Sequence, residues 1–239
     1  MKNKYMYISF ISIVLSISLL SCNRDAPKVE TRFQLLNADQ TGIDFQNNVP
    51  YSDSFNCYVY RNFYNGGGVA IGDLNNDLLP DIFFCGNVNS NKLYLNKGDF
   101  KFEDITEKSG TSSKGVWSAG VVMADINGDG WLDIYVTKSG PPGGEKRYNE
   151  LYINAGADAS GAWSGRFVEA SKDWGLDFKG LSTHAVFFDY DRDGDLDCYL
   201  LNNSIRSVGG YDLRPGQRNT PDPNGGNRFL RNACCQLSG

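Results

Sequence analysis

Short apolar runs rich in β-branched and aromatic side chains recur along this chain, punctuated by clusters of Asp, Asn and Gly. G-G-V-A-I-G and D-I-F-F-C flank one such cluster, A-G-V-V-M-A and D-I-Y-V-T a second, and A-V-F-F-D-Y and D-C-Y-L-L a third. Runs of this length and composition predict strands, so the pattern reads strand, polar loop, strand three times over. A third strand is predicted at Asn91–Asn96 (N-K-L-Y-L-N), at Asn149–Asn154 (N-E-L-Y-I-N) and at Asn227–Asn232 (N-R-F-L-R-N). A fourth is predicted at Phe100–Thr106 and again at Phe167-Val168-Glu169. Ahead of the first unit, Phe33–Asn48 predicts a strand, a turn at Gly42 and another strand. The polar loops start 52 and then 64 residues apart, with insertions such as Gly140–Tyr148 absorbing the difference. Four strands repeated at this period predict an all-β fold of about three β-propeller blades, a partial propeller.

The three loops share one spacing of oxygen-bearing side chains. In loop one (73–81) they are Asp73, Asn75, Asp77 and Asp81; in loop two (125–133) Asp125, Asn127, Asp129 and Asp133; in loop three (189–197) Asp189, Asp191, Asp193 and Asp197. Positions 1, 3, 5 and 9 of a nine-residue turn can wrap one hard cation, and Ca²⁺ takes its ligands from such carboxylate and carbonyl oxygens. An EF-hand would need a glutamate at position 12 and a helix on each side. Phe84, Val136 and Leu200 occupy that position and the flanks are strands, so the EF-hand is rejected. At position 6 loop two has Gly130 and loop three Gly194, but loop one has Leu78, with Pro80 following. A leucine at positive φ is strained, so loop one is expected to hold a cation most weakly or to adopt another turn. Loop three carries four aspartates plus Asp195 and is expected to bind most tightly.

Charge and cysteine content narrow the setting. The net charge of −5, with acidic residues gathered in loops and no basic patch, disfavours nucleic acid as a partner. Residues 1–22 begin with Lys2 and Lys4, continue through an apolar stretch and end in Leu19-Leu20-Ser21-Cys22. That is the layout of a secretory leader, and the ending resembles a bacterial lipobox in which Cys22 is acylated. The expectation is a chain anchored to a membrane by its lipid, with residues 23–32 as tether and the folded part in water. Five cysteines then remain: Cys57, Cys85, Cys198, Cys234 and Cys235. Cys85 and Cys198 fall in apolar strand runs and read as buried free thiols. None has zinc-ligand spacing, so zinc is rejected.

With the loops, the N-x-L-Y-x-N steps and F-E-D-I-T in view, residues 33–232 resemble FG-GAP/VCBS repeats, the calcium-loop blades of integrin-type propellers. The wording Y-N-G-G-G-V-A-I-G-D-L-N-N-D with N-K-L-Y-L-N-K-G is similar to surface lipoproteins of the cartilage-acidic-protein/UnbV-ASPIC group, common in Bacteroidota. The resemblance implies a seven-bladed propeller with structural Ca²⁺ in the inter-strand loops and a recognition or scaffold role; it supplies no ligand. Two features depart from it. Leu78 replaces glycine, and three blades do not close such a ring, which leaves open edges and apolar faces. After N-R-F-L-R-N the expected blade sequence gives way to residues 233–239 (A-C-C-Q-L-S-G), which reads as a truncated or shifted frame or as a short form completed by oligomerising.

Little points to catalysis. His184 is the single histidine, at a predicted strand start, and reads as structural. Gly66-Gly67-Gly68 lacks the G-K-[S/T] and helix that a phosphate cradle requires, so it reads as a strand start with close backbone approach. Trp117, Trp131, Trp163 and Trp174, with Tyr148 and Tyr211, could stack on sugar rings, although packing between blades accounts for them better, Trp131 above all. The sequence therefore reads as an exported lipoprotein of the bacterial outer membrane, a calcium-stabilised module for protein or glycan. The alternatives are the frame of a glycan hydrolase or lyase, or a fragment of a longer gene product.

Overall fold

The computed structural model describes residues 31–60, 62–113, 117–140, 147–203 and 225–233. The chain divides into the units Met1–Leu36 and Asn37–Gly239. Of the first, residues 31–36 are described, irregular and exposed; Cys22, the leader and most of the tether lie outside the described residues. The second unit carries every described element. These are α1 (Ala38–Thr41), β1 (Val69–Gly72), β2 (Asp81–Phe84), β3 (Lys92–Asn96), β4 (Phe102–Asp104), α2 (Thr106–Ser109), β5 (Ser118–Ala124), β6 (Asp133–Lys138), β7 (Glu150–Asn154), β8 (Phe167–Glu169), β9 (Leu181–Phe188), β10 (Asp197–Asn203) and β11 (Arg228–Leu230).

Three antiparallel sheets result, in orders β1-β2-β3-β4, β5-β6-β7-β8 and β9-β10-β11. Each is a meander whose first two strands are joined by a polar nine-residue loop, as the pattern predicts. The sheets stack in chain order, with the first strands β1, β5 and β9 beside one another. Side chains alternate across each sheet. Phe83, Cys85 and Leu93 of blade one meet Val121, Ile134, Val136 and Tyr152 of blade two. The opposite face of blade two gives Tyr135 and Leu151 to Ala185, Cys198 and Leu200 of blade three. Both strand cysteines are buried and free, as expected, and burial pushes their thiols up to about 12.

The sheets approach closely where glycines allow it. A Cβ on Gly68 would lie 2.9 Å from the Gly120 Cα of blade two, and one on Gly120 would lie 2.3 Å from the Thr183 carbonyl oxygen of blade three. The Gly68 N–H donates to the Ala119 carbonyl of blade two at 2.7 Å. The triglycine is thus a strand start at close backbone approach.

One expectation is corrected. Residues 33–48 form no strands: Asn37 and Gln40 make a reciprocal capping box that starts α1, and Gly42 at φ 80° ends it. The segment after α1 instead covers the outer face of blade one, with Phe45 stacked on Phe84 at 5.1 Å and Tyr94 donating to Asp44 at 2.7 Å. Blade three has three strands among the described residues, in keeping with the change of sequence after N-R-F-L-R-N. On its outer face Val186, Phe188, Tyr199, Leu201 and Phe229 are exposed.

Strand β6 of blade two carries a fully buried lysine. Lys138 donates to Ser113 Oγ and Ser118 Oγ, each at 2.8 Å, and pairs with Glu150 at 2.8 Å. Glu150 also accepts from Ser113 at 3.0 Å and from Tyr152 at 2.9 Å. Every partner in this network depends on the others. Glu150→Ala strands the ammonium in the core and is expected to cost roughly 3–5 kcal/mol in chemical denaturation. A Lys138→Met/Glu150→Leu double variant is expected to lose much less.

Candidate metal loops

Each loop is shaped by its own side chains. In loop two the Asp129 N–H donates to both Asp125 Oδ1 (3.0 Å) and Asn127 Oδ1 (3.1 Å), and the Gly130 N–H donates to Asp125 Oδ2 at 2.9 Å. The Trp131 N–H reaches Asp129 Oδ1 at 2.9 Å. Loop one repeats this set with Asp73, Asn75 and Asp77. In loop three the Gly194 N–H donates to Asp189 and the Asp195 N–H to Asp193. Positions 1, 3 and 5 therefore converge on the inside of the turn.

The turn needs positive φ at position 4 as well as at position 6. Gly128 and Gly130 supply 72° and 88°, and Arg192 and Gly194 supply 62° and 96°. Loop one takes the same path with Asn76 at 58° and Leu78 at 68°. Leu78 keeps the common turn and bears the strain; the alternative turn is not adopted. Its side chain is 90% exposed, so no packing offsets that strain. Asn76 also donates to the Gly130 carbonyl at 3.1 Å, which sets loop one against loop two.

The position-nine aspartates sit differently from the other three. Asp81 and Asp133 are 0% exposed and Asp197 is 2% exposed. Asp133 Oδ2 accepts from the Ile126 N–H and Oδ1 from the Asn154 N–H, at 2.9 and 2.8 Å. Asp81 accepts in the same way from Leu74 and Asn96, and Asp197 from Tyr190 and Asn232. Each thus clamps the loop's second residue to the last residue of an N-x-L-Y-x-N step. Burial pushes Asp81 and Asp133 up to about 6, against the downward pull of these N–H donors. A carboxylate offers about four lone-pair sites, of which the clamp uses two. Sequence reasoning missed this role, although the repeated Asn at the end of each step was its signal. That asparagine works further: Asn154 Nδ2 donates to the Leu132 carbonyl and, across the blade junction, to that of Leu74.

Loop three gathers the most charge. One oxygen from each of Asp189, Asp191 and Asp193 lies within 4.8 Å of the others, and all three residues are exposed. This donor set fits a hard divalent cation, being all oxygen and anionic. Arg231 also lies there, 2.6 Å from Asp191 and 3.7 Å from Asp193, a counter-charge that the spacing of the aspartates does not reveal.

Other candidates are placed plainly. His184 is an exposed side chain within β9. Trp117 is buried among Phe55, Tyr60 and Phe63, and Trp174 packs between blades two and three. Trp131 lies against Gly156 of its own blade. Tyr211, Cys234 and Cys235 lie outside the described residues.

Meandering sheets, each with an oxygen-rich loop between its first two strands, define a repeat protein built of β-propeller-type blades. Residues 73–136, from the first aspartate of loop one into β6, match the family model of the FG-GAP-like repeat. The chain is 28% identical over 193 residues to cartilage acidic protein 1 of Xenopus tropicalis, covering 79% of this chain and 28% of that protein. It is 30% identical over 147 residues to cartilage acidic protein 1 of Homo sapiens, covering 60% and 20%. The chain spans less than a third of the length of these relatives. The repeat is consistent with a β-propeller-like module.

The clamp yields a test. Asp133→Ala leaves two buried N–H groups without acceptors, at about 1–3 kcal/mol each. A loss of roughly 2–6 kcal/mol is expected with calcium or with chelator. Asp129→Ala, on the exposed turn, is expected to cost under ~1 kcal/mol in chelator.

Proposed function

We propose that the chain is a calcium-stabilised propeller module, exported and lipid-anchored at the bacterial outer membrane, that binds or scaffolds protein or glycan partners. The observation that carries the metal reading is the convergence of side-chain oxygens in three loops of one design, with three carboxylates within 4.8 Å of one another in loop three. Asp73, Asn75 and Asp77, Asp125, Asn127 and Asp129, and Asp189, Asp191 and Asp193 would hold the ions, with Asp81, Asp133 and Asp197 anchoring each set. Bound Ca²⁺ would neutralise carboxylates that otherwise repel and so stiffen the turn between the first two strands of each blade. The affinity expected of such extracellular sites, about 10⁻⁴–10⁻³ M, suits an exported protein.

The anchor rests on the leader with Lys2, Lys4 and Cys22. The binding role rests on the repeat and on the blade architecture, which carries loops at the sheet ends as a recognition surface. The test is Asp193→Ala, followed by thermal melts in millimolar calcium and in chelator. The variant is expected to melt several degrees below the parent in calcium and alongside it in chelator. Equal losses in both media would overturn the metal role.

A further inference from the structure

Loops one and two stand on a common base. Asn154, at the end of β7, donates from Nδ2 to the Leu74 carbonyl of loop one at 2.9 Å and to the Leu132 carbonyl of loop two at 3.2 Å. Its N–H donates to Asp133 at 2.8 Å, and its Oδ1 accepts from Trp163 Nε1 and the Gly156 N–H at 2.9 and 3.1 Å. Both polar atoms of this buried side chain are thus engaged. Leu132 of loop two also presses on the residue that precedes loop one: a Cβ on Gly72 would lie 2.8 Å from Leu132 Cδ1.

Above that base the two turns meet. Asn76, position 4 of loop one, donates from Nδ2 to the carbonyl of Gly130, position 6 of loop two, at 3.1 Å. Asparagine tolerates the positive φ that this position needs, and it brings a donor as well. Position 4 of loop two is Gly128, which has no side chain, and that of loop three is Arg192. The two turns differ in strain. Loop two places glycine at both positive-φ positions, whereas loop one holds Leu78 at 68°. Strain works against order in loop one, and the bond to Gly130 is a contact from outside its own nine residues that works for it.

We propose that loops one and two take up calcium cooperatively, loop two first, with Asn76 as the coupling residue. The inference rests on the calcium reading of the loops. With loop two ordered, Gly130 holds its carbonyl in one place, and Asn76 and the backbone beside it lose freedom before loop one is filled. Ordering completed in the first step is not lost again in the second, which is positive cooperativity without a large structural change. The coupling is reciprocal, so an ordered loop one strengthens loop two by the same factor.

The test is a calcium titration of the full chain followed by amide NMR, in which Leu78 and Leu79 report loop one and Gly130 and Trp131 report loop two. Loop two is expected to saturate at lower calcium than loop one. Asp129→Ala, which removes a carboxylate from loop two, is expected to raise the midpoint of loop one at least ~5-fold, the lower end of ordinary allosteric coupling. Asn76→Gly keeps the positive φ and removes the donor. In that background the same Asp129→Ala change is expected to move loop one by less than ~2-fold, which closes a double-mutant cycle. Calcium responses in both loops, with a loop-one midpoint that Asp129→Ala leaves unmoved or moves equally with and without Asn76, would overturn the coupling and leave the calcium reading standing. Saturation of loop one before loop two would overturn the order of filling. No response in either loop up to about 20 mM calcium, well above the range of extracellular sites, would overturn both readings.

Discussion

A buried carboxylate with a backbone N–H on each oxygen is the interaction on which the rest of this structure depends. Asp81, Asp133 and Asp197 each close the polar loop at its base and fasten it to the end of the third strand. One residue thereby fixes where the second strand begins, where the third ends and which way the exposed oxygens point. Burial of a charge is costly unless it is hydrogen-bonded, and the clamp supplies those bonds without help from any side chain. The repeat can vary at the turn, as Leu78 shows, because the turn is not what holds the blade together.

From the clamp the order propagates outward. Leu74 gives its N–H to Asp81 and its carbonyl to Asn154 of the next blade, so a within-blade bond continues as a between-blade bond. Asn76 carries loop one onto loop two. Glycines at the inner strands let neighbouring sheets approach to backbone contact, and apolar side chains fill the space outside them. The loops thus come to lie on a frame rigid enough to hold converging carboxylates together.

Much of this was legible in the residues. Repeated spacing disclosed the loops, and β-branched and aromatic runs disclosed β1, β2, β5, β6, β9 and β10. The resemblance to FG-GAP repeats is matched by the comparison over residues 73–136. What escaped had physical reasons. Burial separates Asp133 from the exposed Asp129, and the spacing of aspartates along the chain carries no signal of burial. The stretch around Asn37 alternates enough to resemble a strand, yet a local capping box outweighs that pattern. Lys138 and Glu150 lie 12 residues apart across a strand turn, and nothing local to either announces a buried pair. Arg231 sits 38 residues beyond Asp193, past the end of the loop motif it neutralises.

The most direct measurement is amide hydrogen exchange on the chain in chelator, read at Leu74, Ile126, Asn96 and Asn154. If the buried aspartates organise the blades, these four amides exchange as slowly as those in the middle of β6, while the turn amides of Asp129 and Trp131 exchange fast until calcium is added. Fast exchange at Ile126 and Asn154 in chelator, with protection appearing only on addition of calcium, would contradict the account and give the cation the role assigned to the clamp.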